Sequence, residues 1–409
     1  MGRWMKNLWQ RLDVSWRCAA GAFVMVRVLL LLFSALVVWV YPGTLDVQAT
    51  FRQEIGLPEI KGAVPSLLWG IWLRGDTLWY IWYARDGLLP ADHPRYRAFW
   101  PLYPWLVRIV APLLGHNYLL AGLAISNVAL IVALVLLYRL GEMECGAEAA
   151  GRGVWYMLLF PSAVFLFAAY SESLFLLVSL AAFLAARRGR WGWAGVWAGA
   201  AAVLRVPGAF LGPALGYEYL RQRVSAQGWG ACRSGRWWGQ MVLHAWPFLV
   251  MAVGIAFVPV YTMLFLHGDN LMTVFRFHVD TAVGGGRTVF PWQSLIEATR
   301  DLLSGEFFVI QPFDLAATVL FLGLTVAVFV RLPAAYGVYM AITLLSLTSR
   351  SIPQHPLLGG ARYVLTLFPA FWFLGLGGRK PWKHRLILYP FVLLFGFFAA
   401  EFMIGGFVG

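Results

Sequence analysis

Apolar runs close to the length of a bilayer crossing recur from Gly21 to Ile404, and no other feature limits the fold of this chain so much. A helix needs about 20 mostly apolar residues to cross the hydrocarbon core, and backbone groups inside lipid must pair within the protein. Repeated runs of this kind predict an all-α integral membrane protein. Composition agrees, since 60% of the 409 residues are hydrophobic, 12% are charged and the mean hydropathy is +0.70. A soluble domain carries about 25% charged residues.

The first run, Gly21–Tyr41, is long enough to span and lacks a small-residue cleavage motif, so it reads as a retained anchor. Arg3, Lys6, Arg11 and Arg17 precede it and place the N-terminus in the cytoplasm. Threading the chain from there gives eleven spans in a single polytopic domain, 1–409. They are Gly21–Tyr41, Tyr118–Leu140, Val154–Ala169, Leu174–Ala186, Trp191–Leu204, Pro207–Leu220, Met241–Leu266, Leu315–Val330, Ala334–Leu347, Tyr363–Leu376 and Ile387–Ile404. Extracytoplasmic loops are expected at 42–116, 267–312 and 348–361, the first containing juxtamembrane helices. Basic residues concentrate in the short inner loops, which supports this threading.

The net charge of +13 fits those inner loops and contact with anionic membrane lipids; no nucleic-acid partner is expected. Cys18, Cys145 and Cys232 lack metal-ligand spacing and all fall on the cytoplasmic side, so no disulfide framework is expected. No His-Glu or Asp-x-Asp spacing points to a metal. Gly284-Gly285-Gly286 lacks the strand–turn–helix context of a nucleotide loop. A transferase built on this chain would therefore take a lipid-linked donor and need no cofactor.

The useful polar clusters all fall on the expected outer face. Arg74 and Asp76 lie in Leu73-Arg74-Gly75-Asp76-Thr77-Leu78-Trp79-Tyr80, followed by the aromatic run Arg97–Trp105 with Tyr103. Glu172 sits in the turn Tyr170-Ser171-Glu172-Ser173, and Arg205 ends a span. Arg276 and His278 lie in the second loop; Arg350, Gln354, His355, Arg362 and Tyr363 surround the third. Asp76 is the leading catalytic candidate, because a carboxylate among rings at a membrane face can take a proton from a hydroxyl while Trp79 and Tyr80 hold a sugar or lipid. Ionisable residues near membrane depth are costly and so mark function by default. Plainer roles stand beside these. Trp and Tyr favour the bilayer interface for their own reasons, Glu172 suits a helix start, Arg205 can snorkel, and His278 and His355 can be structural.

Asp76-x-x-Trp79-Tyr80 followed by Ala98-Phe99-Trp100-Pro101-Leu102-Tyr103-Pro104 resembles the signature of the PIG-V family, mannosyltransferases of glycosylphosphatidylinositol assembly and their prokaryotic relatives. Leu159-Phe160-Pro161-Ser162-Ala163 with Tyr170–Phe175, Arg187-Arg188-Gly189-Arg190-Trp191, Leu204-Arg205-x-x-Gly208, and Ala361-Arg362-Tyr363 with Phe368-Pro369 extend the resemblance. It implies a GT-C glycosyltransferase with a catalytic acid in the first outer loop and a polyprenyl-phosphate sugar as donor. The family acid falls on Asp76 and the C-terminal family arginine on Arg362. Two departures stand out: Gly75 occupies the place of a tryptophan, and Ala84-Arg85-Asp86-Gly87-Leu88 replaces an acidic segment.

Together these imply an inverting transfer of a sugar, mannose by the resemblance, to a lipid or glycan hydroxyl at the extracytoplasmic face of a prokaryotic cell membrane. Asp76 would be the general base, while Arg362 with Arg205 or Arg276 would stabilise the departing phosphate. The rival readings are a transporter or flippase of an anionic lipid, with the arginines as its path, and a non-catalytic subunit of a glycosylation complex.

Overall fold

The computed structural model describes residues 13–46, 52–53, 55–57, 62–87, 99–228, 230, 233–265, 286–305 and 307–406. Helix dominates; among the described residues, strand is limited to Arg287–Thr288 paired antiparallel with Arg350–Ser351. Among the described residues, four helices are long and apolar enough to cross a membrane: Val14–Val40, Tyr118–Cys145, Gln311–Arg331 and Pro381–Met403. Two bent helix pairs raise the number to six if each counts as one span. The chain is an all-α, multi-pass membrane protein.

The remaining stretches expected to span fall on shorter or broken helices, and prolines set the breaks. The stretch expected at Val154–Ala169 is divided between the helix Ala147–Leu158 and Pro161–Phe167, bent by 72°. Phe160, just before Pro161, is extended with ψ 143°, because a following proline ring disfavours helical geometry. The stretch expected at Tyr363–Leu376 becomes Gly360–Tyr363, a 3-10 turn Val364–Thr366 and the helix Pro369–Gly377. That expected at Met241–Leu266 is split into Gly235–Leu243 and Trp246–Phe265. Within the expected first loop lie the short helices Ala63–Leu68, Asp76–Asp86 and Leu102–Val110.

The chain forms two compact units, one of Met1–Gly87, Trp105–Leu177 and Ala370–Gly409, the other of Leu88–Pro104 and Val178–Pro369. In the first, the buried Trp372 indole donates to the Leu137 carbonyl at 3.0 Å, and Phe165 meets Phe402 edge to face. In the second, Phe183, Tyr336, Tyr339 and Phe368 form a buried aromatic cluster. Helices Trp191–Leu204 and Trp246–Phe265 approach at glycines: a Cβ on Gly195 would lie 2.3 Å from the Pro247 carbonyl oxygen. Gly195 and Gly199 are four apart, the small-residue spacing that lets membrane helices pack backbone to backbone.

Candidate functional site

In the first unit, Asp76 opens the helix Asp76–Asp86 and its side chain is half-buried. An acid in the first turn faces the positive end of the helix dipole, so the position suits a carboxylate on physical grounds. Gly75 precedes it with φ +52° and ψ −127°, a conformation nearly closed to residues with a Cβ. The Asp76 N–H donates to the Tyr170 hydroxyl at 2.9 Å, and that hydroxyl donates in turn to the Arg74 carbonyl at 3.3 Å. A Cβ on Gly75 would lie 2.5 Å from the same hydroxyl. Tyr170 cannot easily give way, since it is buried with its ring against Tyr80, Phe165 and Phe402. The place where the family resemblance expects a tryptophan is thus filled by a tyrosine hydroxyl from elsewhere in the chain.

Side chains also hold the irregular backbone around Tyr170. Ser126 Oγ donates to the Tyr170 carbonyl at 2.8 Å, Asn127 Nδ2 to the Phe167 carbonyl at 3.1 Å, and Ser173 Oγ to the Leu166 carbonyl at 2.6 Å. Tyr80 and Ser171 share a hydrogen bond of 2.8 Å. These bonds satisfy backbone groups left open where the helix breaks, as buried polar groups require. Glu172 follows as the first residue of the helix Glu172–Arg187 and is fully buried.

The sequence candidates of this unit therefore separate by exposure and partner. Asp76 and Trp79 are half-buried, and Trp79 packs beside Trp82 with ring centres 5.6 Å apart. Tyr80 and Glu172 are buried. Arg74 is buried too, and each of its guanidinium nitrogens donates to a backbone carbonyl: Nε to Met403 at 3.2 Å, Nη1 to Leu73 at 3.0 Å and Nη2 to Thr44. Its geometry is that of a tie between three chain segments.

The second unit holds another group. Asp314, fully buried in the first turn of Gln311–Arg331, accepts from His355 Nε2 at 3.2 Å, the Gly359 N–H at 3.2 Å and the Ala361 N–H at 2.7 Å. This carboxylate anchors the turn that carries Arg362, which is itself buried. The Arg205 guanidinium lies over the Tyr363 ring, 5.4 Å from its centre. Tyr103 is fully buried at the start of Leu102–Val110. Arg276 and His278 lie outside the described residues. Among the described residues no three of His, Cys, Asp and Glu gather as metal ligands would.

Two residues central to this geometry were not sequence candidates. Asp314 carried a signal, being a lone acid heading an apolar helix, where an unpaired carboxylate is costly. Tyr170 carried none for its contact with Asp76, because nothing local links residues 94 positions apart.

Residues 21–210, a little under half of the chain, match the family model described as mannosyltransferase (PIG-V). No curated protein and no solved structure matches the chain. The matched stretch contains Asp76, Trp79, Tyr80, Tyr103, Tyr170, Glu172 and Arg205, and supports a membrane glycosyltransferase.

Proposed function

We propose that this PIG-V-like chain is a membrane glycosyltransferase that moves mannose from a polyprenyl-phosphate donor to an acceptor hydroxyl, with Asp76 as general base. The observation that carries the reading is the Asp76 carboxylate itself. It is half-buried at a helix start, its backbone is pinned by Tyr170, and it lies inside the matched stretch. A base needs a fixed position, and catalysis by such a group contributes about 10²–10⁴-fold in rate.

Asp76 takes the proton of the acceptor hydroxyl as its oxygen bonds to the anomeric carbon, opposite the phosphate. The bond from that carbon to the phosphate oxygen breaks, the configuration inverts, and polyprenyl phosphate leaves with the electron pair. The family resemblance, which places its C-terminal arginine on Arg362, assigns the developing negative charge to arginine.

The test is transfer of labelled mannose from polyprenyl-phosphate mannose by the purified full chain in lipid. Asp76→Asn keeps size and helix start but cannot accept the proton, so transfer should fall by about 10²–10⁴-fold while donor binding remains. Near wild-type transfer by Asp76→Asn would end the assignment of the base.

A further inference from the structure

We infer that the cleft bounded by Asp301, Phe307, Phe308 and Gln354, within the second unit, is a saccharide-binding subsite. Its volume is about 380 Å³, inside the ~300–1,000 Å³ range of small-molecule sites. Among the described residues, those lining it carry two rings, a carboxylate and a carboxamide, the chemistry that recognises a neutral pyranose. The π face of an aromatic ring attracts the weakly positive C–H face of a sugar. Carboxylate and carboxamide groups between them accept from and donate to its hydroxyls.

The platform is backed from behind. Phe308 is 56% exposed, yet it stacks on His355 with ring centres 5.7 Å apart and planes 12° from parallel. His355 is held in turn by the buried Asp314 carboxylate at 3.2 Å. Asp301 is steadied through Oδ2, which accepts from Gln311 Nε2 at 3.1 Å. Gln311 is 1% exposed, and its Oε1 has no hydrogen-bond partner among the described residues. The Asp301 carboxylate opposes phosphate, which favours the sugar over the anionic part of a lipid-linked molecule.

Gln354 adds an independent observation. It follows Pro353 in a turn closed by the His355 N–H donating to the Ile352 carbonyl at 3.0 Å, and its φ is +66°. That position of a turn favours glycine or asparagine. A glutamine sits there against the backbone preference, and it is one of the residues that line the cleft. Backbone strain of this kind gathers where a side chain has a task.

The proposal rests on the transferase reading only for the source of the sugar, donor or acceptor; binding itself is tested without turnover. Methyl α-mannoside is titrated by ligand-observed NMR into the full chain in lipid nanodiscs, with inorganic phosphate as the charged control. Wild type should bind the glycoside saturably and phosphate not at all. Phe308→Ala and Asp301→Asn should each weaken binding by at least about fivefold, the effect of losing one good contact. Gln354→Gly should weaken binding while its melting temperature stays level or rises, a pairing that a merely structural glutamine would not give. Polyprenyl-phosphate mannose that displaces the glycoside assigns the subsite to the donor; without displacement it takes the acceptor. No saturable binding by well-folded wild type, binding of phosphate in its place, or unchanged affinity in Phe308→Ala and Gln354→Gly would overturn the subsite. A chain that binds the glycoside here but transfers no mannose refutes the transferase reading and leaves this one standing.

Discussion

The Tyr170 hydroxyl accepts the backbone N–H of Asp76 at 2.9 Å and lies where a Cβ on Gly75 would have to go. One atom therefore fixes the candidate base and dictates the residue before it.

This arrangement predicts a coupled pair. Tyr170→Phe removes one acceptor and should cost about 1 kcal/mol. Gly75→Ala forces a Cβ into a nearly glycine-only conformation and against the hydroxyl, at about 1–3 kcal/mol. Part of that second cost disappears once the hydroxyl is gone. Gly75→Ala should thus destabilise less in the Tyr170→Phe background, with a coupling of about 0.5–3 kcal/mol. Thermal unfolding of the four proteins in detergent measures it, and strict additivity would contradict the geometry.

Arg74 was expected to bind substrate, and its guanidinium nitrogens donate to the carbonyls of Thr44, Leu73 and Met403, which assigns it a structural load that can be measured separately. Arg74→Gln should lower stability by about 3 kcal/mol, since hydrogen bonds from charged groups are worth about 1.5–3 kcal/mol each and glutamine recovers some of them. Donor affinity of the folded fraction should not change. Weakened donor binding in a protein of wild-type stability would return Arg74 to the substrate.

Asp314→Ala strips the acceptor from two backbone N–H groups and the His355 ring. Stability should drop by about 3 kcal/mol or more, because buried donors left unpaired carry their full desolvation cost. Amide exchange at Gly359 and Ala361 should accelerate. Asp314→Asn retains one acceptor oxygen and should fall between. Equal exchange in all three proteins would show that the turn does not depend on this carboxylate.

The charge pattern predicts opposite sides of the membrane for position 76 and Cys145. An impermeant thiol reagent applied to sealed cells should label Asp76→Cys and leave Cys145 unmodified until the membrane is permeabilised. Labelling of Cys145 in sealed cells would invert the threading.

What the sequence revealed was whatever depends on near neighbours. The long apolar helices such as Tyr118–Cys145 and Gln311–Arg331 were legible because hydropathy is a local sum. Pro161 and Pro369 were equally visible, but the angle of a bend depends on packing, so the stretches they interrupt read as whole spans. Asp76 stood out as an acid among rings; the reason for Gly75 did not, because it lies in Tyr170. Arg74 looked like one more outer-face arginine, because the carbonyls it ties, such as that of Met403, are distant in sequence. Asp314 escaped notice because its partners are more than 40 residues away.

The shared space at Gly75 also orders history. A large side chain cannot enter position 75 while the Tyr170 hydroxyl stands there, and loss of that hydroxyl leaves the Asp76 N–H searching for another acceptor. A larger residue before the acid is accommodated more easily when position 170 has changed first. The two sites are coupled, and a survey that mutates them singly would overstate how firmly position 75 requires glycine.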